Sequence, residues 1–439
     1  MVKEVISVKY KQYDVGALSY DSQTRVGYFE YLPSFIKTGI ELSPIKMPLA
    51  KKIYSFPDLD FQTFKGLPGL IADSLPDDFG NAVMNAWIAS KGQSPADISA
   101  LQRLQYTGKR GMGALSYTPA IKRKNLNTSQ PILIESLVVI AQDILNKREQ
   151  FNVKLNKYGE EDSDTMMSLM SVGMSAGGAR PKAVLAFNDD FSQVRSGQTD
   201  APSGFTHYLM KFDGVSEHNK NEEVFGDPLG YGAMEYVYYL MAKQCGIDMM
   251  PCHLLNEGNR RHFITQRFDR NGNDKIHVQT LNALEHISYK KIGTYSYAEL
   301  FATARKLKLS PDDAIQIFKR MVFNVVSRNH DDHVKNFGFM LDETNQWQLA
   351  PAYDLAYSYK PDSLWVSKHW MTLNGKQDHF TRDDFYSFKT LSPIFNKRRI
   401  DEILDNTINV VSKWRELATQ QNVPKSLIDK IDKNLRLSI

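Results

Sequence analysis

The chain has only two cysteines in 439 residues, Cys245 and Cys252, which excludes a disulfide-stapled scaffold, and their spacing fits neither a metal-binding nor a redox pair. A chain so poor in cysteine is expected in a reducing, cytoplasmic compartment. No apolar run approaches the ~18 residues that span a bilayer, and the opening MVKEVISVKYKQ lacks the apolar stretch of a signal peptide, so no membrane partner is expected. Charge of one sign is missing too. Lys and Arg number 54 against 50 Asp and Glu, and the formal +4 is a weak basis for nucleic-acid binding over so large a surface. The densest basic runs, Lys109-Arg110 followed by Lys122-Arg123-Lys124, and Lys397-Arg398-Arg399, lie in polar surroundings and read as solvated surface. Neither a low-complexity tract nor an internal repeat occurs.

What is there is the composition of a globular protein, 42% hydrophobic and 24% charged, on a chain too long for one core. The pattern predicts an α+β protein in three parts, 1–150, 151–270 and 271–439. In roughly the first 120 residues, short alternating segments at 5–13 and 25–31, separated by Gly and Pro breaks, indicate a small β-containing domain with a few helices. A helix at 132–147 leads into a charged linker or mobile loop at 154–164. From 170 to 269 the order is glycine-rich loop, strand (183–187), strand (207–212), helix (232–244) and strand (262–268), a sheet-based nucleotide lobe. The helix gathers Met234, Val237, Tyr238 and Met241 on one face, with Gly246 as its C-terminal cap. Beyond 271 the chain is mainly helical. Ser310-Pro311-Asp312-Asp313 starts a helix that buries Ile315, Phe318, Val322 and Val325 and ends near Ser327.

The most informative segment follows that helix: Arg328-Asn329-His330-Asp331-Asp332-His333-Val334-Lys335-Asn336-Phe337-Gly338, with Pro351-Ala352-Tyr353-Asp354 behind it. Phosphoryl transfer needs a carboxylate to take the proton of the attacking hydroxyl and oxygen ligands for Mg²⁺ on the phosphates. An Asp followed five positions later by an Asn is the interval of a protein-kinase catalytic loop, and Asp331 and Asn336 stand in it, with Asp332 one position off register. Segments 337–341 and 347–349 read as a hairpin that returns the chain to the site, where Asp354 arrives as a second metal carboxylate. His333 and Lys335 are further candidates to face the phosphates. A metal hydrolase stays open, because His330, Asp331, Asp332 and His333 are ligand types for Zn²⁺ or Mn²⁺. Lys335 argues against it, since a cation beside divalent ions is unfavourable unless it meets an anionic substrate. A purely structural polar loop is the third reading, opposed by the cost of burying such groups without a function.

Ser175-Ala176-Gly177-Gly178-Ala179-Arg180-Pro181-Lys182 is a small-residue loop running into a strand, where glycines let backbone amides approach phosphate oxygens. It is not a Walker A loop, because no Ser or Thr follows the Lys and no helix follows the loop. Ala176, Gly177, Gly178, Ala179, Arg180 and Lys182 are therefore candidate phosphate contacts. Lys211, on the strand Tyr208-Leu209-Met210-Lys211-Phe212, stands as the kinase lysine for the α and β phosphates. Its acidic partner is Glu235, or Glu222 or Glu223; the sequence does not choose.

These segments, together with Gln266-Arg267-Phe268-Asp269-Arg270, Gly66-Leu67-Pro68-Gly69-Leu70-Ile71-Ala72-Asp73-Ser74-Leu75-Pro76-Asp77 and Gly111-Met112-Gly113-Ala114-Leu115, resemble the HipA-type kinases over nearly the whole chain. The resemblance implies a bacterial serine/threonine kinase with a lipid-kinase-like core, using ATP and Mg²⁺, that is the toxin of a type II toxin–antitoxin pair and is linked to growth arrest and persistence. It implies a small DNA-binding, HipB-like antitoxin as partner and, through it, operator DNA and autorepression. Carried over by position, Asp331 resembles the catalytic base, Asn336 and Asp354 the Mg²⁺ ligands, Lys211 the ATP lysine, and Gln266 and Phe268 the hinge that holds adenine. Ser175 matches the family's autophosphorylated serine, although the loop here is more glycine-rich. The best-characterised family substrate, glutamyl-tRNA synthetase, carries over as a candidate. A catalytically weak protein that holds an antitoxin on DNA is the rival of another class, which intact Asp331, Asn336, Asp354 and Lys211 disfavour.

Overall fold

The computed structural model describes residues 4–120, 131–147, 180–216 and 226–439. The linker expected at 154–164, the run at 122–124, Glu222 and Glu223, and loop residues 175–179 lie outside them. Contacts divide the chain into two compact units. One comprises Met1–Ser43, Met47–Gly232 and His253–Val278, the other Pro44–Lys46, Ala233–Cys252 and Gln279–Ile439. Among the described residues no helix is long and apolar enough to cross a membrane.

In the first unit, the alternating segments near the start become β1 (Val5–Tyr10), β2 (Tyr13–Asp21) and β3 (Val26–Tyr31). With β4 (Ile53–Tyr54) and β5 (Leu115–Thr118) they form a sheet in the order β4-β3-β2-β1-β5. Val8, Leu18 and Phe29 are fully buried in it, as alternation requires of a strand with one covered face.

The second sheet of this unit is built from β6 (Lys182–Asn188), β7 (Val194–Ser196), β8 (Phe205–Lys211), β11 (Cys252–Glu257) and β12 (Arg260–Gln266), in the order β11-β12-β8-β6-β7. A two-residue pair, β9 (Val215–Ser216) with β10 (Gly226–Asp227), lies beside the chain path between them. The unbroken apolar run Ala183-Val184-Leu185-Ala186-Phe187 is buried throughout, which is the pattern of a strand covered on both faces. One face packs the helices Asp78–Ser90 and Ile134–Lys147: Phe79, Val83, Trp87, Leu137 and Ile144 share a core with Leu185, Phe187, Tyr208 and Met210. Each such side chain contributes about 1.5–3 kcal/mol on burial, so helix and sheet form one cooperative body. The strand expected to run to 268 stops at Gln266 because Arg267 and Asp269 fold together into a buried ion pair there. β13 (Arg270–Asn271) and β14 (Asp274–Lys275) then make a short hairpin ahead of β15 (His277–Thr280).

The second unit is mainly helical, as the sequence predicts. The helix Pro311–Ser327 starts in a capping box: Ser310 Oγ accepts from the Asp313 amide at 3.1 Å, and Asp313 Oδ2 accepts from the Ser310 amide at 3.0 Å. It buries Phe318, Val322 and Val325 as expected. Ile317 and Met321 also point fully inward, while Ile315 is only half-buried, so the apolar face is rotated slightly from the one read in the sequence. The helix Tyr231–Gln244 buries Met234, Val237, Tyr238 and Met241, and Gly246 caps its end at φ +70°. The Tyr238 hydroxyl donates to the Ser327 carbonyl at 2.6 Å, fixing the end of the neighbouring helix. β16 (Gly338–Leu341) and β17 (Trp347–Leu349) pair antiparallel, which is the hairpin the sequence called for.

Candidate active site

Lys211 closes β8 and is the register partner of Lys182 on β6 and of Phe263 on β12, so the three side chains project from one face of the sheet. The Lys211 ammonium lies 5.9 Å from the centre of the Phe263 ring. Both lysines are buried, at 5% and 2% exposure. Lys182 Nζ stands 3.7 Å from the Asp77 carboxylate at the start of the helix Asp78–Ser90, which makes it an ion-paired residue of the interior rather than an open loop cation. Arg180 is half-buried, with its guanidinium 6.0 Å from the Tyr231 ring centre. Ser175, Ala176, Gly177, Gly178 and Ala179 lie outside the described residues.

Two residues beyond Lys211 stands a carboxylate the sequence reading missed. Buried Asp213 accepts from the amides of Gly230 at 2.8 Å and Gly232 at 3.2 Å with one oxygen, and from the Arg261 amide at 3.1 Å with the other. It thereby satisfies amides at the start of the helix Tyr231–Gln244 and places negative charge at the positive end of its dipole. Gly232 is required at this junction, since a Cβ there would sit 2.0 Å from the Arg261 carbonyl oxygen. The only sequence signal was an Asp-Gly pair, which by itself reads as a turn.

The expected hinge leaves β12 at Gln266, half-buried, and continues through half-buried Phe268. Its backbone is pinned by Asp269, fully buried, which accepts from Arg267 Nε at 2.8 Å and Nη2 at 2.7 Å, Arg270 Nη1 at 2.7 Å and the Gly113 amide at 2.8 Å. Burial alone would raise the Asp269 carboxyl, but Arg267 and Arg270 hold it well below the usual carboxylate range. Gly113 presents this amide at φ +68°, a left-handed conformation that glycine adopts without steric cost. The Gly-Met-Gly and Gln-Arg-Phe-Asp-Arg motifs, far apart in sequence, thus meet at one carboxylate.

In the second unit the helix Pro311–Ser327 ends on Arg328 in the left-handed region, φ +60°, and the chain turns sharply into the polar loop. Asp331 projects outward with its side chain 49% exposed, its Oδ1 3.6 Å from His333 Nε2. Asn336, in a 3₁₀ turn Val334–Asn336, donates Nδ2 to the Asp331 carbonyl at 2.7 Å. That bond fixes the amide orientation and leaves Oδ1 as the face offered to a cation. Asp354 adopts φ +53°, a conformation that non-glycine residues rarely hold, and its carbonyl lies 3.4 Å from Asn329 Nδ2. An exposed carboxylate, an amide oxygen and a second carboxylate are hard donors of the kind Mg²⁺ takes, so the residues present fit that ion. The Lys335 ammonium lies 5.1 Å from the Tyr289 ring centre, and the Lys335 carbonyl accepts from Tyr353 Oη at 2.9 Å.

Asp332, one position away, does the opposite of Asp331. It is 1% exposed and accepts from Tyr297 Oη at 2.6 Å, His369 Nδ1 at 2.9 Å and the Trp370 amide at 2.7 Å. His330 is likewise fully buried, with its ring centre 4.1 Å from that of His369. Burial, then His369, holds its imidazole well below the ordinary histidine range. The four-residue ligand set imagined for a metal hydrolase therefore does not converge: Asp331 projects outward, His333 is half-buried beside it, and His330 and Asp332 are built into the interior. Among the described residues no group of three or more His, Cys, Asp or Glu side chains could hold a metal ion.

A sheet bearing a buried lysine, and a helix-borne loop presenting Asp331 and Asn336 with Asp354 behind them, define a kinase-like α+β chain. The chain belongs to the HipA family: the HipA-like C-terminal domain matches residues 174–414 and the HipA N-terminal domain residues 6–118. It is similar to the protein named "Putative kinase Y4mE" of Sinorhizobium fredii, 25% identical over 445 aligned positions covering 95% of this chain and 93% of that one. A "Putative kinase" of Haemophilus influenzae is 22% identical over 322 positions, 66% of this chain and 88% of its own length. The fold matches that of a chain in the Shewanella oneidensis complex of HipA, HipB and operator DNA, with TM-score 0.65 and 17% identity, over 98% of this chain and 95% of that one.

Proposed function

We propose that the chain is an ATP- and Mg²⁺-dependent serine/threonine protein kinase and the toxin of a type II toxin–antitoxin pair. The observation that carries this reading is the bond from Asn336 Nδ2 to the Asp331 carbonyl, which holds a half-exposed carboxylate and an amide five residues apart on one turn. Asp331 accepts the proton of the attacking hydroxyl and orients it, a role worth about 10²–10⁴ in rate. Lys211 binds the α and β phosphates from its strand, and Gln266 and Phe268 hold the adenine. Asn336 and Asp354 hold Mg²⁺, which when bound neutralises charge on the phosphate oxygens. Asp332, buried on three donors, anchors the loop that carries Asp331.

A HipB-like antitoxin is the proposed partner, supported by the HipB and operator DNA solved with the Shewanella protein. Operator DNA is reached through that antitoxin, and the kinase contributes to repression in the complex. Ser175 is the proposed site of self-phosphorylation that silences the kinase, and glutamyl-tRNA synthetase the first substrate to test. Incubation with γ-labelled ATP and Mg²⁺ beside Asp331→Asn, followed by mapping of the phosphate, tests the reading. Label on Ser175 in the native chain alone is expected. Bound Mg²⁺-ATP with no transfer to any protein would leave a non-catalytic antitoxin-binding protein instead.

A further inference from the structure

Lys182 and Lys211 are direct cross-strand partners, both buried, on one face of the sheet. Two like charges so placed oppose each other and lose hydration, so where each ammonium sits depends on the anionic groups around it. The structure supplies a counter-charge from outside the sheet. Asp77, 6% exposed, stands 3.7 Å from the Lys182 ammonium with both side chains 2% exposed. That separation is an ion pair rather than a hydrogen bond. Asp77 is itself held in place, because its Oδ1 accepts from the Gly80 amide at 2.5 Å as the N-cap of the helix Asp78–Ser90. That helix is anchored in turn by Phe79, Val83 and Trp87 in the core it shares with β6 and β8.

We propose that Asp77 is a positioning residue of the nucleotide site: it holds the Lys182 ammonium in place beside Lys211, where the chain leaves the glycine-rich loop. This rests on the kinase reading above. On this account the N-terminal segment is a working part of the phosphate-binding apparatus, and the cation pair is tuned by a carboxylate that touches neither nucleotide nor metal. Because Asp77 lies at the end of a motif roughly a hundred residues before Lys182, nothing in the spacing announced the pairing.

Asp77→Asn isolates the charge, since Asn caps a helix as well as Asp does. In the full-length protein, Asp77→Asn and Lys182→Met are each expected to raise KM for Mg²⁺-ATP about tenfold with little change in kcat. The double variant removes both charges of the ion pair together and is expected to be no worse than either single one. Asp77→Glu should recover part of the loss. Equal KM in the native chain and the double variant, or effects that multiply, would overturn the proposal. A native chain that binds no Mg²⁺-ATP by calorimetry would instead overturn the kinase reading, and this proposal with it.

Discussion

Asn336 donates its side-chain amide to the backbone carbonyl of Asp331 at 2.7 Å, so the proposed metal ligand also fixes the turn that aims the proposed base. The side chain of Asp331 is 49% exposed and has no structural load comparable with that of its neighbour. Asp331→Asn should therefore lower phosphoryl transfer by about 10²–10⁴, while unfolding free energy stays within about 0.5 kcal/mol. Asn336→Ala removes both the tie and the ligand, and should lose transfer together with the Mg²⁺ dependence of ATP binding. Radiolabel transfer and chemical denaturation on the same preparations check both.

Asp332→Ala should show the converse. It strips the partner from Tyr297 Oη, His369 Nδ1 and the Trp370 amide, all inside the protein, and is expected to cost about 3–5 kcal/mol of stability. Denaturant midpoints of Asp331→Asn and Asp332→Ala, measured side by side, decide the assignment. A stable Asp332→Ala protein that merely fails to transfer phosphate would exchange the roles of the two carboxylates.

Asp213, just beyond the strand that carries Lys211, accepts two amides at the start of the helix Tyr231–Gln244 and a third from Arg261 on β12. Asp213→Ala should destabilise by about 2–4 kcal/mol, more than an exposed cap, because the amides it abandons are buried. Gly232→Ala should be as harmful, since its Cβ would meet the Arg261 carbonyl at 2.0 Å. Thermal unfolding of the two variants checks this, and a wild-type midpoint in either would show that the junction can relax.

The sequence carried the elements whose cause is local. The capping box at Ser310, the alternation in β1 and β2, and the apolar face of the helix Tyr231–Gln244 all depend on residues within a few positions of one another. Asp331 and Asn336 were legible for the same reason, as their relation is an interval along one loop. The strand that carries Lys211 was legible from its apolar neighbours, and the structure places Lys211 at its end. What escaped were pairings made by folding: Asp213 with Arg261, Asp269 with Gly113, and Asp77 with Lys182 join residues tens to more than a hundred positions apart. The register set Asp332 apart from Asp331, but its buried bonds to Tyr297, His369 and Trp370 escaped because they too are made by folding.

Two buried imidazoles give the protein an acid limit. His262, which accepts the Asp213 amide on Nδ1 at 3.0 Å, is pushed down by burial, and then by Arg260, from the ordinary 6.5 to about 4. His277, fully enclosed, is pushed by burial to about 4 as well. Their folded values lie below the unfolded one, so the unfolded chain takes up protons first. The stability they support is whole above pH 6.5 and is lost as pH falls from 6.5 towards 4, by up to about 1.4 kcal/mol per unit for each group. Protonation of His262 would also turn its acceptor nitrogen into a donor facing the Asp213 amide, loosening the junction below Lys211. His262→Gln should therefore be less stable than the native protein near neutrality, yet lose less on going to about pH 5.5. Denaturation curves at the two pH values measure that difference directly, and parallel losses in both proteins would mean that His262 takes up its proton alike in the folded and unfolded chain.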